Sequence, residues 1–195
     1  MSGADLPGDK VDESFADGIS LPVRGTDVVD RLSVVMGDAP GADGRVVVDG
    51  ADATSVQPGL AVDGGVAGDG VRRLLTRAPA WPAGEAGTAA ASAKLGYTRE
   101  DVLLASGYMH VLRLAAEAGV RHLALPPLGL AGESAFPPER GARIAIGHVL
   151  GYFLARPTPA LPERVTLLCE DETSAAALRE AVQTRDRWML NRTRV

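Results

Sequence analysis

A three-layer α/β/α fold, with helices on the faces of a mixed, mostly parallel sheet, is what this 195-residue sequence predicts. Two observations lead there. Short apolar runs, the β-branched "RLSVVM" and "RVVVDG" and the further "RHLALP" and "RVTLLC", recur along the chain, and amphipathic stretches of helical length lie between them. Hydrophobic residues make up 46% of the chain, enough for one core, and the length suits a single domain.

The elements follow in order. Residues 1–28 are polar, rich in Gly and Asp and without clear period, and are expected as a flexible arm with one edge strand at "ISLPV". "RLSVVM" and "RVVVDG" are expected as buried strands around the turn-forming "GDAPGADG". Then comes "DGGVAGDGVRR", a glycine-rich turn. Beyond it Val71, Leu74, Leu75 and Ala78 fall at i, i+3, i+4 and i+7, which predicts a helix ending before Pro79. "TRED" opens a further helix with Thr98 as N-cap and Asp101 three residues on. Val102, Ala105, Met109, Leu112 and Ala116 make its apolar stripe, and Gly119 ends it. "RHLALP" is read as a strand, and the prolines of "FPPERGARIAIGHVLGYFLAR" suit the first turn of a helix running to the neighbourhood of Arg156. "RVTLLC" is the last strand, followed by the amphipathic helix "TSAAALREAVQ" with Thr173 as N-cap. Residues 188–195 are expected as a basic tail, which leaves a domain over residues 29–187.

Composition narrows the partners. A formal charge of -5, a pI near 5.2 and eight aromatic residues speak against nucleic acid and anionic membranes. The single Cys169 leaves no internal disulfide and, with three histidines, no cysteine-rich zinc site, so neither metal nor cofactor is expected. The acidic first residues do not form a secretory leader, and the most apolar window, residues 144–155, is too short to span a bilayer; a cytoplasmic protein is expected.

Three stretches carry chemistry. A glycine turn that feeds a helix aims backbone N–H groups at an anion, although glycines that merely turn the chain are an equal reading. "DGAD" follows the strand "RVVV", and ligands gather at the carboxyl ends of strands in such sheets. There Asp49 and Asp52 suit ribose hydroxyls or a general base, the plainer reading being a self-capped turn. "PPLGLAGESAFPPER" offers a second wall. His110, His148 and Cys169 are read as helix-face and core residues.

Together these stretches resemble the macro domain, the ADP-ribose-binding module. "VVMGD" (Gly37, Asp38), "VVVDGAD", "GGVAG" (Gly64 to Gly68), "AGEAGT" (Gly84 to Ala86) and "LALPPLGLAGESAFPPERGARIA" stand in that family's order over residues 31–182. The resemblance implies that Asp38 accepts the adenine amino group and that the backbone of Gly64, Gly65, Val66, Ala67 and Gly68 wraps the diphosphate and distal ribose. It further implies that Leu130, Ala131, Gly132, Glu133, Ser134 and Phe136 close over the diphosphate, with Phe136 near the distal ribose. Asp52 takes the place of the family's last Asn, which orients the terminal ribose and, in hydrolysing members, the attacking water. The implied function is binding of ADP-ribose or a related nucleotide diphosphate, free or on an ADP-ribosylated protein, with weak or absent hydrolysis of ADP-ribosyl groups and Asp52 as its catalytic residue. The competing reading is a degenerate macro-like domain that serves protein interaction without ligand.

The departures bear on chemistry. Asp49 and Asp52 replace two Asn, so neutral amides become acceptor-only carboxylates; with Asp63 and Asp69 up to four like charges are expected around the diphosphate loop. Ala67 stands where some hydrolases of the family carry Asp, "LAG" replaces Ser-Thr-Gly, and no aromatic for adenine stacking falls near Cys169 or Glu170. Between Leu95 and Thr98 there is no room for the strand that usually follows Gly-Glu-Ala.

Overall fold

A computed structural model describes residues 31–82, 98–132, 135–156 and 161–192, the side chains of 186–192 excepted. The arm expected over residues 1–28, the "AGEAGT" segment, and Glu133 and Ser134 lie outside the described residues.

In chain order the elements are β1 (Leu32–Met36), β2 (Gly44–Val48), a 3-10 turn (Ala51–Ala53), β3 (Ala61–Val66), β4 (Arg72–Thr76), α1 (Arg99–Glu117), β5 (His122–Leu125), α2 (Pro138–Leu154), β6 (Arg164–Cys169) and α3 (Glu172–Arg192). The strands form one sheet in the order β1-β6-β5-β2-β4-β3. All pairs are parallel except β3 with β4, so the sheet is mixed and mostly parallel, as the sequence predicts.

Register and burial show where the core sits. Leu32, Val34, Val46, Leu74, Leu123, Leu125, Val165 and Leu167 share one face of the sheet, and all are buried. Against them α1, α2 and α3 pack side by side in a single apolar cluster. Of the residues pointing the other way, Ser33, Val35, Arg45, Val47, Arg73 and Leu75 are half-buried, whereas Ala124 and Thr166 on the middle strands are buried.

The helix expected over Val71 to Ala78 is instead β4, and this is the main correction to the sequence reading. Its apolar spacing suits both periods: Leu74 and Thr76 are fully buried while Arg73 and Leu75 are half-exposed, an alternation of two. What decides is a partner distant in sequence. β2 offers a parallel edge that takes β4 residue for residue, from Gly44 opposite Arg72 to Val48 opposite Thr76. Five residues on a sheet edge gain more ladder hydrogen bonds than a short isolated helix retains.

Two helices differ in detail from expectation. The Thr98 capping box of α1 forms, and Gly119 ends the helix with φ +76°. Its buried stripe, however, is Asp101, Leu104, Tyr108, Val111, Leu112 and Ala115, while Val102 is 59% and Met109 36% exposed. A charged residue at the head of the stripe displaced the apolar count by one position. In α3 the cap is Asp171, not Thr173: its carboxylate accepts from the Ser174 N–H at 2.8 Å and from the Ser174 hydroxyl at 2.7 Å. The helix also continues to Arg192, so the boundary expected at residue 187 falls inside it.

Asp101 is drawn inward by Arg140 of α2. Arg140 Nε donates to Asp101 Oδ1 at 2.7 Å and its NH2 group to Oδ2, while the Thr98 N–H donates to Oδ2 at 2.6 Å. Burial pushes the Asp101 carboxyl up, but the hydrogen bonds from Arg140 and Thr98 and the Arg140 charge outweigh it and hold the group below the usual carboxylate range. A depressed folded value contributes stability that is complete above the unfolded pKa of about 4 and is lost as pH falls through the folded one. Acid titration of stability is therefore expected to steepen below about pH 4, and Asp101→Asn to flatten that limb.

Candidate functional site

The chain changes direction across the sheet between β2 and β5. From β2 it proceeds outward to β3 and β4; from β5 it proceeds the other way, through α2 to β6 beside β1. Adjacent parallel strands whose connections leave in opposite directions open a crevice at their carboxyl ends, where ligands of open α/β sheets bind. One side of this crevice is Asp49 to Asp52. The other is the segment from Pro126 to Phe136, which leads into the amino end of α2 and its positive dipole.

On the β2 side, Asp49 has φ +52°, a left-handed conformation that few residues other than Gly, Asn and Asp accept. Its N–H still extends the ladder to the Thr76 carbonyl at 3.3 Å, so the carboxylate is turned out of the sheet into solvent. The 3-10 turn closes through Ala53 N–H to the Gly50 carbonyl at 2.9 Å and leaves Asp52 exposed. Asp38, beyond β1 on the same carboxyl edge, accepts the Ala39 N–H at 2.9 Å and pairs with Arg45. The backbone hydrogen bond first, and then Arg45, hold its carboxyl below the usual range. Nothing in the spacing of the sequence signals the Arg45 partner.

The β5 side is stiff underneath and open on top. Leu128 N–H donates to the hydroxyl of Tyr108, itself fully buried on α1, at 2.8 Å. Phe136 N–H closes the loop onto the Gly129 carbonyl at 2.8 Å. Gly129 has φ +70°, and a Cβ there would come within 3.0 Å of the Phe136 ring. Leu130 and Phe136 are core side chains, 8% and 2% exposed, whereas Ala131 and Gly132 are on the surface. The expectation that Phe136 faces a ribose is corrected accordingly: its ring lies 4.8 Å from Trp81, beneath the loop. Tyr108→Phe strands a buried N–H and is expected to cost about 1–3 kcal/mol in chemical denaturation.

The structure does not bring Gly64 to Gly68 to this crevice. Gly64, Gly65 and Val66 belong to β3, and the turn Ala67 to Val71 is a hairpin at the opposite, amino end of the sheet, where Arg72 N–H meets the Asp43 carbonyl at 2.9 Å. Hairpin geometry accounts for these glycines. The register slips between Asp63 and Gly65, a bulge with Gly65 at φ +82°, and Gly70 turns at φ +80°. Ala67 N–H and Gly70 N–H are both used inside the turn, by the Val71 and Ala67 carbonyls. Asp63 pairs with Arg72 and Asp69 with Arg73, so these two charges are compensated and remote from Asp49 and Asp52. The crowding of four carboxylates expected from the sequence reduces to two.

Other polar residues stay local. His110 Nδ1 lies 3.0 Å from the Ser106 carbonyl on its own helix, and His148 is half-buried, its pKa lowered by burial. Cys169 is 1% exposed, and burial, reinforced by Asp171, pushes its thiol up to about 11. Among the described residues no group of three or more His, Cys, Asp or Glu is placed to hold a metal ion, and no helix is long and apolar enough to cross a membrane.

A mixed six-stranded sheet of this topology, with a loop-lined crevice at its switch point, is an α/β fold of the macrodomain kind. The Trypanosoma brucei macrodomain in complex with ADP superposes with a TM-score of 0.61 at 16% identity, over 83% of this chain and 73% of that one. The Oceanobacillus iheyensis macrodomain with ADP gives 0.59 at 14% identity, over 78% and 90%. In sequence the chain is similar to macro domain proteins. It is 37% identical over 102 residues to a macro domain-containing protein of Cupriavidus necator, covering 52% of this chain and 50% of that protein. It is 32% identical over 112 residues to an O-acetyl-ADP-ribose deacetylase of an Enterobacter species, covering 56% and 53%. The chain thus spans about half the length of the curated relatives it matches. No family model matches it.

Proposed function

We propose that this chain binds ADP-ribose, or a related nucleotide diphosphate, in the crevice between β2 and β5. The observation that carries the reading is the convergence of Asp38, Asp49, Asp52 and the loop through Ala131 and Gly132 on one edge of a macrodomain sheet, beside the amino end of α2. Asp38 serves the base, Asp49 and Asp52 the ribose hydroxyls, and the loop backbone with the α2 dipole the diphosphate. Glu133 and Ser134 belong to the same proposed loop. Gly64 to Gly68 enter only through a rearrangement of the β3–β4 hairpin, so the diphosphate is assigned to the loop after β5. In any residual hydrolysis of ADP-ribosyl groups, Asp52 is the group that orients or deprotonates water. The partner class is ADP-ribosylated protein, and the cytoplasm suits a chain whose one cysteine is buried and unpaired. The relatives named for O-acetyl-ADP-ribose support this reading over that of a ligandless interaction module.

Titration calorimetry with ADP-ribose tests it: saturable heat is expected, and silence at millimolar ligand overturns it. Asp49→Asn with Asp52→Asn removes two like charges facing the ligand and is expected to tighten binding about tenfold. Gly68→Ala, in the hairpin turn where nothing lies within 4 Å of an added Cβ, is expected to leave affinity unchanged. A loss beyond about tenfold in that variant returns the glycines to the site.

A further inference from the structure

We infer that Asp101, Arg140 and Trp81 are positioning residues that set the conformation of the loop after β5, and through it the diphosphate subsite; the second half of this statement rests on the function proposed above. The three come from α1, α2 and the segment after β4. Asp101 is 1% exposed and Arg140 12%, and the guanidinium meets the carboxylate with both prongs of its fork. The same guanidinium lies 5.3 Å from the centre of the Trp81 ring, and the Trp81 ring lies 4.8 Å from that of Phe136, tilted by 50°. Phe136 in turn fills the space that a Cβ at Gly129 would need and, through its N–H, holds the Gly129 carbonyl by the 2.8 Å hydrogen bond.

This is an unbroken series of planar groups in contact, from the cap of α1 to the turn that presents Ala131 and Gly132. A carboxylate, a guanidinium, an indole and a phenyl ring are each rigid beyond their own Cβ or Cδ, so few side-chain torsions separate one end of the series from the other. Closely packed interiors transmit such constraints rather than absorb them. Moreover, Asp101 is already the N3 member of the α1 capping box, so the anchor of the series is itself fixed to the backbone. None of the three side chains needs to touch the ligand for the effect.

Arg140→Lys tests the inference, because lysine keeps the charge but loses the fork and the flat stacking surface. Amide hydrogen exchange reads the loop directly, at Leu128, Leu130 and Phe136, without any ligand. Leu150→Val serves as the control, a core change in α2 remote from the stack that costs stability without touching the clamp. Arg140→Lys is expected to speed exchange at those three amides beyond Leu150→Val at matched stability, and to weaken ADP-ribose binding roughly 3- to 30-fold where the control does not. Equal exchange in the two variants overturns the clamp. Faster exchange with unchanged affinity overturns its link to the subsite. If the unmodified chain does not bind ADP-ribose, the proposed function fails and exchange alone decides the clamp. Should Arg140→Lys not fold, Trp81→Phe, which keeps an apolar ring but shrinks the stacking surface, is read in the same way.

Discussion

Arg140→Met is expected to lower the unfolding free energy by about 3–5 kcal/mol, because it leaves the Asp101 carboxylate buried with its counter-charge removed. The penalty comes from the stranded anion and not from a lost attraction. Asp101 still accepts the Thr98 N–H, but one backbone donor does not replace two guanidinium hydrogen bonds. Denaturant midpoints measure the effect, with the m-value expected to stay constant. The double variant Asp101→Leu with Arg140→Met is expected to recover much of the loss, short of about 1 kcal/mol for the forfeited cap. If the single variant costs under about 1 kcal/mol, the pair is a solvated surface contact and its burial is wrong.

Phe136→Ala is expected to cost about 3–5 kcal/mol, the range for removing a fully buried aromatic ring from a core that relaxes incompletely. The cavity would open between Trp81 and Gly129, beneath the loop that carries the proposed diphosphate contacts. Phe136→Leu fills most of that volume and is expected to cost far less. The comparison separates two roles for this residue. A ring that faced a ribose would lose affinity on truncation with little change in stability, whereas a core ring loses stability first. Thermal denaturation and calorimetry on the same two variants distinguish them.

Much of the fold was legible because local signals agreed with the tertiary outcome. β1, β2, β5 and β6 are short apolar runs, and the Thr98 box, the α2 prolines and Gly119 mark helix ends through hydrogen-bonding rules confined to a few neighbouring residues. The candidate site was legible in part. Asp38, Asp49, Asp52 and the loop after β5 sit where strand ends place them, because a parallel strand order carries carboxyl ends to one edge. The glycine segment was misplaced for a physical reason: "GGVAG" satisfies a β-bulge and a hairpin turn as readily as an anion loop, since both need positive φ and neither needs a side chain.

The sequence by itself determined an α/β chain, most of its strands and helix caps, and the acidic residues at the crevice. Only the tertiary structure decided that Arg72 to Thr76 extends the sheet, that Asp63 and Asp69 are matched by Arg72 and Arg73, and that Asp101 turns inward to Arg140. Each of these outcomes depends on a free strand edge or an opposite charge supplied from elsewhere in the fold. A local pattern cannot choose between two periods, or between burying and exposing a charge, until packing brings that partner within hydrogen-bonding reach.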